Sequence, residues 1–516
     1  MFRRTHLLCL VAALFFAAFP GANLRAAPAR PNAPVGSALR PALAAARNAQ
    51  SPQAPADQLT VPEIFGEHAI HPPELGEVEW SPNGEWLSYF QSTPLGRELW
   101  EANAATGARR RLIDAAHLAQ FLDPWPKTWV QRTGFGRRPP RRYQWSPTGN
   151  ALLLRSATRL VWYNLETHQS RQLVGGTVPL TDPKISPDGR WVGFLRDYNL
   201  FIVNVRNARV RQLTRDGKES LRDGQLDWIY PEELGLFTAY WWSPDSSRIA
   251  YLQFNESGVI RYPLLNPNSY NSTVYWTRYP RAGTANPVVR VGVVSARGGK
   301  TKWMNTGSNT NIYLPRVAWA PGGKDLSIER LNRAQTRLDL LFANPSNGRS
   351  HIVLTETDRY WINLGGNPRF LTDGDFIWSS ERTGFRQLYL YSDSGRLIRP
   401  LTSGDFVVTS LAGVDQKTGF VYFVSTQASP RERELYRVGL DGKNFERISK
   451  RPGTHDISMA PGAAAYLDTY SNIHQPPRQE LHAATGRLVS VLSDGVIPRL
   501  AQVRLGQVDF LHLHAS

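Results

Sequence analysis

Cysteine is all but missing from this chain of 516 residues: the one thiol, Cys9, lies inside an apolar stretch at the N-terminus. Beyond that stretch the chain can form no disulfide, use no thiolate nucleophile and build no cysteine metal site, so its stability has to come from packing. Apolar runs of membrane-spanning length are missing too, because the stretch from Leu7 to Phe19 is shorter than the roughly 20 residues a bilayer requires. Helical patterning is scarce. The chain has no His-Glu-x-x-His zinc helix, no phosphate loop and no dinucleotide fingerprint, and no serine carries glycine two positions before and two after it. The scattered histidines, such as His351 and His455, read as surface or turn residues. No catalytic residue, metal site or cofactor is expected from these motifs.

The N-terminus is built in three parts: Met1-Phe2-Arg3-Arg4, the apolar stretch, then small residues up to Ala26-Ala27-Pro28-Ala29. That is the pattern of a secretory signal peptide over residues 1–27. It predicts export to the periplasm or the extracellular space, with no transmembrane anchor after cleavage. Residues 28–60, rich in Ala, Pro, Asn and Gln and without apolar periodicity, read as a flexible linker. The net charge of +17 raises the question of nucleic acid. Its basic clusters, Arg109-Arg110-Arg111 and Arg137-Arg138-Pro139-Pro140-Arg141-Arg142, read as loops and follow no nucleic-acid module, so a solvated basic surface is expected and no nucleic-acid partner.

What the chain does have is repetition. Trp80-Ser81-Pro82-Asn83-Gly84, Trp145-Ser146-Pro147-Thr148-Gly149, Ile185-Ser186-Pro187-Asp188-Gly189, Trp242-Ser243-Pro244-Asp245 and Trp319-Ala320-Pro321-Gly322-Gly323 are copies of one phrase. In each, proline presets one turn dihedral, glycine supplies the next where present, and an alternating strand such as Arg248-Ile249-Ala250-Tyr251-Leu252 follows. A second phrase, an aromatic strand ending in a polar turn, recurs at Leu160–Leu165, Leu200–Val205 and Gln387–Tyr391. Degenerate late copies of the first stand at Arg369–Gly374 and Ser458–Ala463. Two hairpins per repeat make a four-stranded unit that cannot bury its own faces, and such units pack radially. The expected fold is all-β: a seven- or eight-bladed β-propeller over residues 61–505.

One segment departs from the repeat, Leu226-Asp227-Trp228-Ile229-Tyr230-Pro231-Glu232-Glu233-Leu234. Adjacent glutamates among aromatic and aliphatic residues repel each other and gain proton affinity unless a cation sits between them, and a peptide's N-terminal ammonium suits that place. In order along the chain come Asp227-Trp228-x-Tyr230, Glu232-Glu233, Trp241-Trp242-Ser243-Pro244, Gln253-Phe254-Asn255 and the run Tyr279 to Val288, Tyr-Pro-Arg-Ala-Gly-Thr-Ala-Asn-Pro-Val. This ordered string resembles the dipeptidyl peptidase IV family.

The resemblance implies an eight-bladed propeller of the kind that, in relatives, caps an α/β-hydrolase domain. It implies that Glu232 and Glu233 sit on a short projecting helix and hold a substrate's free amine, with Asp227, Trp228 and Tyr230 shaping the base. Pro231 stands where many relatives carry a third acid. Relatives also offer an arginine from an earlier hairpin. Here Leu152 to Leu160 is compact, lacks that longer arm and assigns no counterpart. Residues 506–516 resemble the linking strand before the relatives' hydrolase domain, and no nucleophile elbow of that domain is found in the chain. The leading expectation is a substrate-selecting propeller of a dipeptidyl peptidase IV-like serine peptidase, non-catalytic by itself, that binds peptides with a free N-terminus. A separate α/β-hydrolase chain or a homo-oligomer is the further partner to test. Two alternatives stand beside it: an exported scaffold for protein–protein interaction in the cell envelope, and the front half of a split or frameshifted dipeptidyl peptidase.

Overall fold

In the computed structural model the described residues are 57–66, 69–122, 141–266 and 272–513. The expected signal peptide and nearly all of the expected linker fall outside them. Two units separate by their internal contacts, residues 74–494 and the two chain ends. The first is an eight-bladed β-propeller, so the larger of the two expected blade counts is the observed one. The blades span residues 76–113, 143–174, 181–212, 221–303, 312–357, 369–400, 408–447 and 454–493. Seven are plain antiparallel meanders of four strands in chain order. The aromatic phrases at Leu160–Asn164, Asn199–Asn204 and Gln387–Tyr391 form third strands. Arg109-Arg110-Arg111 belongs to an outer strand, Arg109–Ile113, and not to a loop; Arg110 is neutralised by Glu101 at 2.5 Å and Arg111 by Glu98 at 3.1 Å.

The repeated Ser-Pro phrase joins the first two strands of a blade, and its serine explains why. Ser186 Oγ donates to Asp188 (2.6 Å) and accepts from the Trp191 N–H (3.0 Å), so one hydroxyl closes the turn from both sides. Gly84, Gly149 and Gly189 take φ near +70°, and Ser246 holds the same left-handed position (φ 60°) where blade 4 has no glycine. The turns also stack from blade to blade. A Cβ on Gly84 would lie 2.6 Å from the Pro461 carbonyl oxygen, while Gly189 and Gly323 face the rings of Pro147 and Pro244. Where a tryptophan precedes the turn, it stitches its blade to the preceding one: Nε1 of Trp242 donates to Lys184 O (3.2 Å), of Trp319 to Trp241 O (3.1 Å) and of Trp80 to Ser458 O (3.2 Å). The last of these links blade 1 to blade 8. Leu87, Tyr89 and Ala102 of blade 1 share a buried cluster with Leu467, Leu481 and Leu492 of blade 8, so the ring closes by packing and not by strand exchange.

Blade 4 breaks the pattern twice. Its innermost position is shared by two short strands, Leu221–Asp223 and Tyr240–Trp242, which pair with opposite ends of the strand Arg248–Asn255. Residues 224–239 are inserted between them, opposite the middle of that strand, where Leu252 accepts from the Gly224 N–H and donates to Ala239 O, each at 2.8 Å. Gly224 (φ +72°) starts the departure, and a Cβ there would stand 2.9 Å from Leu195. The second insertion is a two-stranded hairpin, Arg261–Asn266 with Thr273–Arg278, that leaves Leu265, Val274, Tyr275 and Trp276 exposed.

The remaining unit holds the short helix Val61–Phe65, capped by Thr60 and Glu63 in a reciprocal capping box, with Arg499 paired to Glu63 at 2.7 Å.

Candidate functional site

The inserted segment is held by burial at both of its flanks. Ile229, Tyr230, Leu234 and Leu236 enter one cluster with Leu252 and Phe254 of blade 4 and Leu314, Val317 and Ile328 of blade 5. Between them runs a single helical turn, Ile229–Glu232. Four residues cannot hold a helix by themselves, so the turn exists because its neighbours hold it. Asp227 accepts from the Tyr230 N–H at 3.1 Å, and the Glu233 N–H donates to Ile229 O at 2.8 Å.

Of the five residues singled out in the sequence, Asp227 and Tyr230 are buried, Trp228 and Glu232 half-buried and Glu233 exposed. Asp227 lies beneath the turn, where burial pushes its carboxyl up to about 7 against the hydrogen bond from Tyr230. Trp228 packs on Tyr279 at 4.4 Å, and Tyr279 in turn on Tyr262 at the root of the hairpin (5.8 Å). The Tyr230 ring meets Phe254 edge-on at 4.7 Å, and its Oη accepts from the Leu314 N–H at 2.8 Å. The two acids therefore stand on a ledge whose underside is packed and whose outer edge reaches water.

The ledge also has anchors that sequence reading does not supply. Arg222 donates to Leu226 O at 3.2 Å and forms an ion pair with buried Glu256 at 2.7 Å. Burial pushes Glu256 up and Arg222 opposes it. Arg278, at the base of the hairpin, donates to the carbonyls of Glu256 (2.9 Å) and Val259 (3.0 Å). Arg316, on the inner strand of blade 5, donates to Leu234 O at 2.9 Å. No local motif marks Arg316, which stands 82 positions from the residue it holds.

Two other places on the propeller gather polar or charged groups. Asp468, Glu480 and His482 bring three donor atoms within 4.8 Å. Arg451 and Arg478 already lie on Glu480, and the opposing arginine and histidine contacts hold its carboxyl down at about 2 despite burial. That is an ion network, whose acids are compensated without a metal. An open cleft of about 750 Å³ between blades 1 and 2 is lined by Trp86, Trp145, Arg110 and His168 and contains none of the five site residues.

A closed ring of eight blades, one opened to present an acid pair on an inserted turn, defines an eight-bladed β-propeller with a single specialised blade. Residues 146–477 match the family described as the dipeptidyl peptidase IV (DPP IV) N-terminal region. The chain belongs to that family. It is 29% identical over 373 residues to "Probable dipeptidyl peptidase 4" of Emericella nidulans, covering 65% of this chain and 48% of the relative. It is 32% identical over 322 residues to the protein of the same name from Aspergillus flavus, covering 58% and 41%. The crystal structure of Porphyromonas gingivalis dipeptidyl peptidase 4 superimposes with a TM-score of 0.73 at 26% identity, over 86% of this chain and 63% of that one. The chain thus spans less than half the length of these two curated relatives.

Proposed function

We propose that this chain is the substrate-selecting propeller of a dipeptidyl peptidase IV-like serine peptidase, and that Glu232 and Glu233 receive the N-terminal ammonium of a peptide. The observation that carries this reading is the ledge itself: two adjacent carboxylates on a turn fixed from below, with one of them exposed. A cation between two carboxylates relieves their repulsion, and fixing them before the ligand arrives lowers the ordering cost of binding. The residues of the ledge serve to position the amine end of a substrate in this reading. They supply no nucleophile elbow, so the hydrolytic step is assigned to none of them.

Calorimetric titration of the purified chain with an Xaa-Pro dipeptide tests this. The free-amine form is expected to bind and its N-acetylated form not to, and Glu232→Ala is expected to abolish binding. Equal behaviour of the two peptides rejects the reading. The exposed apolar hairpin favours the second reading, an exported interaction scaffold, which gains if neither peptide binds.

A further inference from the structure

The most heavily tied buried cation near the ledge is Arg316, which is 6% exposed. Through Nη1 it donates to Leu234 O (2.9 Å) and Pro315 O (2.8 Å), and through Nε to Gly365 O (3.0 Å). Every hydrogen bond just given goes to a main-chain carbonyl. The fork therefore ties three stretches of chain together: the segment directly after the acid pair, the inner strand of blade 5, and the connection from blade 5 to blade 6. A second tie comes from the same strand, where the Leu314 N–H donates to Tyr230 Oη at 2.8 Å. Residues 314 and 316 thus grip residues 230 and 234, on either side of Glu232 and Glu233. The strand register shifts between Tyr313 and Arg316, and this bulge lies at the grip.

Burying a guanidinium is costly and is tolerated where its donors are satisfied. Glu329, directly across the strand pair from Arg316, does not hydrogen-bond to it; neither of its buried oxygens has a partner, and burial pushes its carboxyl up to about 8. Burial pushes the Arg316 guanidinium down as well, against the attraction of Glu329. Asp227, Glu256 and Arg222 are the charged groups at the other end of the segment.

We propose that Arg316 is a positioning residue for the acid pair: it fixes the ledge through Leu234 and Gly365. This rests on the reading of Glu232 and Glu233 as an amine site. A lysine keeps the charge but lacks the rigid planar fork needed to hold separate carbonyls.

The test is titration of the full chain with a free-amine Xaa-Pro dipeptide and its N-acetylated form, for the unsubstituted chain, Arg316→Met and Arg316→Lys. Arg316→Met is expected to weaken free-amine binding about tenfold or more at neutral pH, the scale of a lost charge-assisted hydrogen bond. Arg316→Lys is expected to bind as weakly as Arg316→Met, because one ammonium cannot hold the separate carbonyls. Unchanged affinity in Arg316→Met overturns the proposal. Full rescue of affinity by Arg316→Lys overturns it too, since charge without the fork would then suffice. If Arg316→Met does not fold, Tyr230→Phe removes the other grip while keeping the ring, and wild-type affinity in that variant counts against the proposal. If the unsubstituted chain binds neither peptide, the amine-site reading fails first and takes this one with it; binding that survives in the unsubstituted chain isolates the failure to Arg316.

Discussion

Asp227 shows how one residue can serve geometry and be sensitive to pH. One oxygen accepts from the Tyr230 N–H and the other has no hydrogen-bond partner, so ionisation at this buried position is opposed. Asn supplies the same accepting oxygen without a titrating group. Asp227→Asn is therefore expected to fold as the wild type does and to raise Tm by a few degrees at pH 8.5 and by clearly less at pH 5, read by thermal unfolding at the two pH values. A fall in Tm at both pH values would mean that the carboxyl is needed as an anion. Glu329, unpartnered on both oxygens, belongs to the same group, as does buried Asp223, which burial pushes up. These acids are retained where a hydrophobic residue would fit the burial better, and each lies on or beside the two blades that build the ledge.

At the scale of the element, the Ser-Pro turn does more than reverse the chain. Its serine closes the turn, its proline faces the next blade's glycine, and the tryptophan before it donates to the preceding blade. Gly84 is where these demands meet, because its φ of +72° and the 2.6 Å approach to Pro461 O both exclude a side chain. Gly84→Ala is expected to cost about 1–3 kcal/mol. The effect should show as a lower urea midpoint with an unchanged slope, since the change strains the junction of blades 1 and 8 without altering the surface buried. The inserted ledge is the opposite kind of element. Its one helical turn has no intrinsic stability, and blades 4 and 5 hold it in place.

For the whole molecule, stability depends on pH through groups of both signs. Asp227 and Glu329 titrate near 7 and 8 when folded and near 4 when unfolded. Between those limits the folded state binds more protons, so stability falls as pH rises from about 4 to about 8. His455, which is buried on the first strand of blade 8 and is not the surface or turn residue expected from the sequence, acts in the same direction. Burial opposes its charged form, but Asp468 at 2.7 Å outweighs that and holds its pKa above the ordinary value, so its contribution is present at low pH and lost as pH rises through the folded value. Glu480 acts oppositely, since its folded value of about 2 means that its contribution is lost on acidification from about 4.5. Thermal unfolding across pH 3 to 9 is expected to give the highest Tm near pH 5, with a decline on the alkaline side that Glu329→Gln makes shallower. A Tm that rises steadily to pH 8 would contradict these assignments.

The sequence by itself determined what is local and repeated. Proline and glycine fix turn dihedrals within five residues, the alternation fixes strand faces, and four-stranded units that cannot bury their own faces must pack on one another. So the propeller was legible, as was the place where it departs from itself, at Asp227 to Glu233. The sequence does not distinguish seven blades from eight because the turns of blades 6 and 7, Leu371 to Asp375 and Asp415 to Gly419, have lost the Ser-Pro phrase while the strands they join remain. Only the tertiary structure decided how the acid pair is held. Tyr230 meets Leu314 across 84 positions and Arg316 meets Leu234 across 82, and such contacts leave no periodicity to read. A guanidinium that donates only to carbonyls is invisible in sequence for a further reason: every residue except proline offers the same backbone donor and acceptor, and every residue offers the acceptor, so its partners carry no residue signature.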